Sequence, residues 1–223
     1  MSSLKVPGAS RRHLTLLSVS IVVIQVVAVI CQFTQGTDPR FPLLYFTVDS
    51  AVLSAVVALF SLLGWQGERV MRARLTAVVG VLVSAMVFAA VIVPATETGT
   101  WFQPHDDLPV RTATVLMHAV APILVTLDYV LRRNMHSIRI AVLWAYSWPL
   151  AYIGGLNVLA LILGSDMIPY PFLQPAAVGW PTVAGAVAVL AVLVGLLGAI
   201  LGVIDHAVAR RSVAHCAVDV AGS

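Results

Sequence analysis

Charged side chains are scarce: lysine, arginine, aspartate and glutamate make up only 10% of this chain of 223 residues. A soluble domain of similar length carries about 25% charged residues, so the composition predicts a membrane protein. Cysteine is also scarce, because Cys31 and Cys216 are the only two, and we expect them on opposite sides of a bilayer. The sequence therefore predicts no disulfide, no metal site and no cofactor.

Apolar residues, in contrast, make up 60% of the chain, and the mean hydropathy is +0.96. They form six continuous blocks, each close to the ~20 residues that an α-helix needs to cross a bilayer. The blocks cover approximately residues 14–33, 41–63, 75–93, 112–131, 140–163 and 183–204. Because strands of a membrane β-barrel alternate apolar and polar residues, these blocks instead predict an all-α membrane protein. We expect residues 1–223 to form a single domain of six transmembrane helices.

Basic residues are distributed unevenly between the segments that connect the blocks. Eleven of the thirteen fall on one side of the predicted bundle: Lys5, Arg11, Arg12, Arg69, Arg72, Arg74, Arg132, Arg133, Arg139, Arg210 and Arg211. The positive-inside rule then places both termini in the cytoplasm of a multi-pass cell-membrane protein. The net charge of +3 thus mostly reflects the topology, and we expect the basic segments to face the membrane lipids. We expect no nucleic-acid partner, and nothing in the pattern indicates an oligomeric state.

The second block contains four polar side chains at membrane depth. Thr47, Ser50 and Ser54 follow the spacing i, i+3, i+7 and therefore share one helix face. Serine and threonine in membrane helices commonly bond their own backbone or allow close packing, so this spacing is compatible with structure as well as chemistry. A carboxylate at this depth is costly. For Asp49, a structural ion pair and a role in positioning water are equally compatible with the sequence.

The fourth block contains His118, the one histidine inside any block. Pro122 has no N–H to donate to the carbonyl of His118, four residues earlier, which predicts a kink there. Thr47 and His118 each lie about six residues, or ~9 Å, from the outer end of their blocks. A hydroxyl and an imidazole at one depth are a candidate nucleophile and general base. A buried histidine that only packs is the alternative.

The fifth block has features typical of a broken membrane helix. Pro149 and a following pair of glycines predict an interruption, which is tolerated where neighbours or a cavity satisfy the backbone. Trp148 is a candidate wall of an acyl-chain pocket, with ordinary packing as the alternative. The amide of Asn157, the hydroxyl of Ser50 and a backbone N–H freed near the breaks in the fifth block are candidate donors to an oxyanion. Ser50 and Asp49 are candidates to position water.

Three short motifs, in this order and placement, resemble a known family. They are Tyr45-Phe46-Thr47-x-x-Ser50, His118-x-x-x-Pro122 and Pro169-Tyr170-Pro171-Phe172-Leu173. The chain resembles the androgen-induced-protein family of multipass membrane threonine hydrolases, and a bacterial branch more than the animal enzymes. The resemblance implies that Thr47 is the nucleophile, His118 the general base and a fatty acid ester of a hydroxy fatty acid the substrate. Ala51 departs from the family pattern, which usually has Asn there, so another group must take over any role of that Asn.

The sequence therefore predicts an intramembrane hydrolase of lipid esters that needs no cofactor. Two other classes stay open. A membrane transporter or lipid-binding protein without hydrolase activity is compatible with six helices that divide into inverted halves of three, although the halves share no sequence similarity. A membrane scaffold without catalytic activity is compatible with every polar residue having only a structural role.

Overall fold

The computed structural model describes residues 11–132 and 137–221, with side chains described as far as Ala207. Four basic residues of the topology argument lie outside this description. They are Lys5 and Arg133, together with the side chains of Arg210 and Arg211, and the side chain of Cys216 lies outside it as well. The described segments are helices joined by loops, and no strand occurs in them.

The described residues contain six apolar helices of 17 residues or more. They are α1 (Arg11–Thr34), α2 (Phe46–Leu62), α3 (Glu68–Ala95), α4 (Leu108–Arg132), α5 (Ile138–Leu163) and α6 (Trp180–Ala221). Five of these helices are long and apolar enough to cross a membrane, and α2, with 17 residues, is shorter. The chain is therefore an all-helical protein of the kind found in membranes.

The start of α2 differs from the predicted block, which begins at residue 41. Pro42–Leu44 form a 3-10 turn, and Tyr45 is extended at φ −96° and ψ 126° before the α-helix begins at Phe46. Pro42 opens the turn and keeps the residue before it, Phe41, extended at φ −63° and ψ 124°. At the other end of the chain, α6 continues past residue 204 to Ala221. Alanine and arginine, which are good helix formers, recur in this extension.

Polar contacts link the ends of the helices. At one end, the Asp107 carboxylate accepts hydrogen bonds from the N–H of Gly36 at 2.7 Å and from the N–H of Val110 at 2.9 Å, which ties the α1–α2 loop to the start of α4. At the other end, the Asp128 carboxylate lies between two guanidinium groups. Its Oδ2 is 3.2 Å from the Nε of Arg74, and its Oδ1 is 2.6 Å from the Nε of Arg132. The α1–α2 and α3–α4 connections therefore meet at one end of the bundle, and the charged triad lies at the opposite end.

Two π-helical turns interrupt α3 and α4 at matching places. The turn Phe88–Ile92 comes just before Pro94, and the turn Leu116–Val120 comes just before Pro122. In each case the missing proline N–H prevents a normal helical hydrogen bond, and the backbone adopts wider i→i+5 pairing instead. The irregularity expected at His118 is therefore present as a π turn.

The fifth helix breaks at Tyr146, between Ile138–Ala145 and Ser147–Leu163. The break lies where Pro149 cannot donate to the carbonyl of Ala145, four residues earlier, as the sequence predicts. The glycine pair at 154 and 155, which the sequence also implicates, continues the helix without interruption. Two other glycines, on α6, press against the first half of α5: a methyl group at Gly198 would lie 2.9 Å from the Cα of Val142.

Candidate functional site

An apolar cleft opens between α2, α3, α5 and α6 and contains Thr47 in its wall. It holds about 560 Å³ of empty space, including its open mouth. Most of its lining is aliphatic or aromatic, and the exceptions carry hydroxyl groups: Thr47, Ser84, Tyr152 and Tyr170. A surface of this kind accommodates a hydrocarbon chain and places a few hydroxyls beside it.

The Thr47 hydroxyl is held by Ser84. Thr47 lies in the first turn of α2 and Ser84 on the central helix α3, and their hydroxyl oxygens are 2.7 Å apart. Ser84 is 5% exposed, so this bond is shielded from water on the protein side. Sequence reasoning did not identify Ser84, because its only signal is one hydroxyl in an otherwise apolar block.

Tyr170, from the loop between α5 and α6, completes the polar end of the cleft. Its hydroxyl oxygen accepts a hydrogen bond from the N–H of Phe46 at 3.1 Å and lies close enough to the Thr47 side chain to interact with it. Burial raises the pKa of Tyr170 above its usual range, so the phenol keeps its proton. Nearby, the Tyr152 hydroxyl donates to the carbonyl of Leu44 at 2.6 Å and fixes the approach to α2.

His118 packs against α3 one helical turn beyond Ser84. Its ring stacks on Phe88 with centroids 4.0 Å apart and planes 5° from parallel, which brings the two π turns together. The His118 Nδ1 is buried and has no hydrogen-bond partner among the described residues. Ser84, rather than His118, is the hydrogen-bond partner of the Thr47 hydroxyl. The imidazole therefore lies behind the cleft wall and is not part of its lining.

Ser50 and Trp148 are brought together, although neither lines the cleft. The indole N–H of Trp148 donates to the Ser50 hydroxyl at 3.1 Å. Gly80 makes this contact possible, because a methyl group there would lie 2.9 Å from the Ser50 hydroxyl oxygen. This pair braces α5 against α2 and α3 directly beside the cleft.

Asn157 and Asp49, the two remaining candidates, do not line the cleft either. The Asn157 side chain is exposed and donates to the carbonyl of Ile153 in its own helix, as is usual for an amide that lacks a partner helix. Asp49 is half-buried, and its carboxylate has no hydrogen bond or ion pair with any described residue.

Within residues 11–132 and 137–207, no group of three or more histidine, cysteine or carboxylate side chains is placed to hold a metal ion. Comparison with models of protein families, with curated proteins and with solved structures gave no match to this chain. The resemblance to the androgen-induced-protein family therefore stays a prediction that depends on the three sequence motifs.

Proposed function

We propose that this protein is an intramembrane hydrolase of lipid esters, with Thr47 as nucleophile and His118 as general base. The observation that carries the proposal is the Thr47 hydroxyl, which lies in the wall of an apolar cleft and is oriented by Ser84. Threonine is a weak nucleophile until a base removes its proton. The buried imidazole of His118, which stacks on Phe88 and has an unused Nδ1, is the base that the protein offers.

The proposal includes six membrane spans with both termini in the cytoplasm of the cell. Although α2 is shorter than the other helices, its 17 residues correspond to about 25 Å, within the range of known spanning helices. The basic residues favour this orientation. The polar end of the cleft, at the start of α2, would then face the outer half of the bilayer, and an ester could enter it sideways from the lipid.

The chemistry follows from this placement. The acyl chain of a fatty acid ester of a hydroxy fatty acid occupies the apolar cleft, with its carbonyl carbon beside the Thr47 oxygen. As the oxygen attacks, its proton moves to Ser84, and the Ser84 proton moves on toward His118. The imidazolium then protonates the departing hydroxy fatty acid. Water attacks the acyl-threonine and gives one proton to His118. As the bond from the carbonyl carbon to the Thr47 oxygen breaks and the fatty acid leaves, the imidazolium returns that proton through Ser84 to the Thr47 oxygen, which restores the hydroxyl and the neutral His118.

Hydrolysis of a long-chain ester of a hydroxy fatty acid by the purified protein in lipid nanodiscs tests the proposal. Thr47→Ala and His118→Ala should each abolish turnover, and the double variant should be no worse than either single one, because residues that act as a unit are strongly non-additive. Thr47→Ser should retain activity because it keeps the hydroxyl.

Two matched controls accompany that assay. Thr112 bonds the backbone of its own helix α4, and His105 is exposed in a loop. Thr112→Ala and His105→Ala should therefore turn over the ester at the wild-type rate. Full activity of folded Thr47→Ala protein would rule out the hydrolase proposal.

A membrane transporter or lipid-binding protein is the second candidate. One observation favours it: the Thr47 hydroxyl is already hydrogen-bonded to Ser84, and no hydrogen bond joins it to His118. In that case the cleft would hold a lipid chain without cleaving it. Saturable binding of the ester, with no free fatty acid released over many hours, would support this second function.

A further inference from the structure

We propose that Tyr170 is the oxyanion donor of this site, the group that stabilises the negative charge on the ester carbonyl oxygen during attack. The inference rests on the proposed function, because it assigns a role in the reaction of Thr47. It also gives a purpose to the Pro169-Tyr170-Pro171 motif, which no other part of the mechanism uses.

The Tyr170 hydroxyl interacts with two other hydroxyls of the cleft, those of Tyr152 and Thr47, and donates to no carbonyl of the described residues, so its hydrogen bond can be transferred to a stronger acceptor. Its oxygen accepts from the backbone N–H of Phe46, the residue immediately before the nucleophile. A hydroxyl that accepts from an amide is polarised and becomes a better donor. Tyr170 also lines the cleft and interacts with the Thr47 side chain. Because the oxyanion of a tetrahedral adduct is bonded to the carbon that Thr47 attacks, a donor beside Thr47 lies within reach of it.

The Tyr170 ring is also rigidly held, which an oxyanion donor requires. It is 9% exposed, packs edge-on against Tyr45 with centroids 6.0 Å apart and stacks on Phe172 at 5.4 Å. The prolines on both sides restrict the backbone. The hydroxyl therefore has little freedom to lose when the transition state forms.

Other donors suggested by the sequence are already engaged or lie elsewhere. The Ser50 hydroxyl accepts from Trp148 and does not line the cleft, and Asn157 bonds its own helix on an exposed face. The Tyr152 hydroxyl does line the cleft, but it donates its proton to the Leu44 carbonyl. The Thr47–Ser84 pair aside, Tyr170 therefore carries the cleft hydroxyl whose proton is not donated to a protein carbonyl.

The step assigned to Tyr170 is a hydrogen bond and not a proton transfer. As the bond from the Thr47 oxygen to the carbonyl carbon forms, the π-electron pair of the carbonyl moves onto its oxygen, which accepts the Tyr170 O–H. When the pair returns, the bond from the carbon to the leaving oxygen breaks, and the leaving group takes its proton from His118. Tyr170 is neutral before and after each half of the reaction.

The test compares an ester with its thionoester, in which sulfur replaces the carbonyl oxygen and is a poorer hydrogen-bond acceptor. Wild-type protein should strongly prefer the oxygen ester. Tyr170→Phe should lower kcat for the oxygen ester by about 10²–10³-fold, with KM unchanged. The variant should also lose most of the preference for the oxygen ester over the thionoester. Tyr45→Phe is the matched control, since it removes a neighbouring hydroxyl that bonds Asp38 outside the cleft, and it should retain the preference.

Three results would overturn the assignment. A Tyr170→Phe protein with near wild-type kcat, or one that slows both substrates equally, would show that the hydroxyl does not act on the carbonyl oxygen. If Tyr170→Phe fails to fold, 3-fluorotyrosine at position 170 replaces it, because it keeps the size and strengthens the donor. A fluorotyrosine protein whose preference does not rise above the wild-type value would also overturn it. Wild-type protein that hydrolyses neither substrate would instead reject the proposed function itself.

Discussion

Hydroxyl groups on one face of α2 each contact a different part of the bundle. Thr47 bonds Ser84 on α3, and Ser50 bonds Trp148 on α5. Ser54 accepts from Gln25 on α1 at 2.8 Å, and Ser61 accepts from Arg74 on α3 at 2.6 Å. In a bilayer, where apolar burial does not drive helices together, such bonds help specify which helices pack. Thr47 is the member of this series that also lines a cleft, and it is therefore placed for chemistry.

Ser84→Ala tests whether the hydrogen bond to Thr47 contributes to catalysis. Because Ser84 both holds the Thr47 hydroxyl and passes its proton on toward His118, Ser84→Ala should lower kcat as severely as His118→Ala does, with little change in KM. Ser54→Ala, which removes a hydroxyl of the same helix series away from the cleft, is the control and should leave kcat of the folded protein unchanged. An unaltered kcat in Ser84→Ala would remove Ser84 from the proton path.

Two carboxylates of the membrane region, Asp49 and Asp128, are expected to behave oppositely when neutralised. Asp49 has no partner among the described residues, so Asp49→Asn removes a desolvated charge and should leave the melting temperature at or above the wild-type value. Asp128 lies between Arg74 and Arg132, and Asp128→Leu should destabilise the protein by about 3–5 kcal/mol. Thermal unfolding in detergent measures both. A large loss in Asp49→Asn would mean that its carboxylate has a structural partner.

Helix α6 depends on glycine for its close approach to helix α5. Gly198→Ala would place a methyl group 2.9 Å from the Cα of Val142, so the helices must separate. We expect a loss of about 1–3 kcal/mol from overpacking, seen as a lower melting temperature in detergent. Gly185→Ala on the same helix is the control, because nothing lies within 4 Å of its added methyl group, and it should be neutral or stabilising. Equal melting temperatures for the two variants would contradict this packing.

The cap of α4 gives the fold a dependence on low pH. Hydrogen bonds from the N–H groups of Gly36 and Val110 lower the pKa of Asp107 below its ordinary value of 3.8. Because the folded pKa is depressed, the stabilisation is fully present above pH 3.8 and is lost as the pH falls through the lower folded value. Melting curves of wild-type and Asp107→Ala protein should therefore differ at pH 7 and converge below that window. A difference that persists unchanged at pH 2 would contradict the cap assignment.

The helices were predictable from the sequence, whereas the site was predictable only in part. Long, continuously apolar blocks favour helices in a bilayer, because a helix satisfies its backbone hydrogen bonds within the segment and a barrel strand would alternate apolar and polar residues. Most helix ends therefore fall within a few residues of the blocks. The distorted helix at His118 follows from Pro122. The spacing of Thr47, Ser50 and Ser54 gives a shared helix face, but it does not indicate that Thr47 is the one of the three that lines the cleft. Ser84 and Tyr170 reach Thr47 only through the packing of α3 and of an outer loop, which no local pattern encodes.

For the whole molecule, the proposed topology predicts which loops face the cytoplasm. In a background with Cys31 and Cys216 replaced by alanine, Glu97→Cys in the α3–α4 connection should react with a membrane-impermeant maleimide applied to intact cells. Gln66→Cys in the α2–α3 connection should react only after permeabilisation. Both positions are exposed, so the difference reports the side of the membrane. Labelling of position 66 from outside would reject the six-span model.

Covalent labelling of the nucleophile tests the central claim most directly. The wild-type protein in membranes is treated with a long-chain alkyl fluorophosphonate, and the modified residue is located by peptide mass spectrometry. We expect one adduct on the Thr47 oxygen. Prior incubation with excess ester should block it, His118→Ala should slow its formation, and Thr47→Ala should abolish it. Folded wild-type protein that remains unlabelled, or that carries its adduct on Ser84 instead of Thr47, would contradict it.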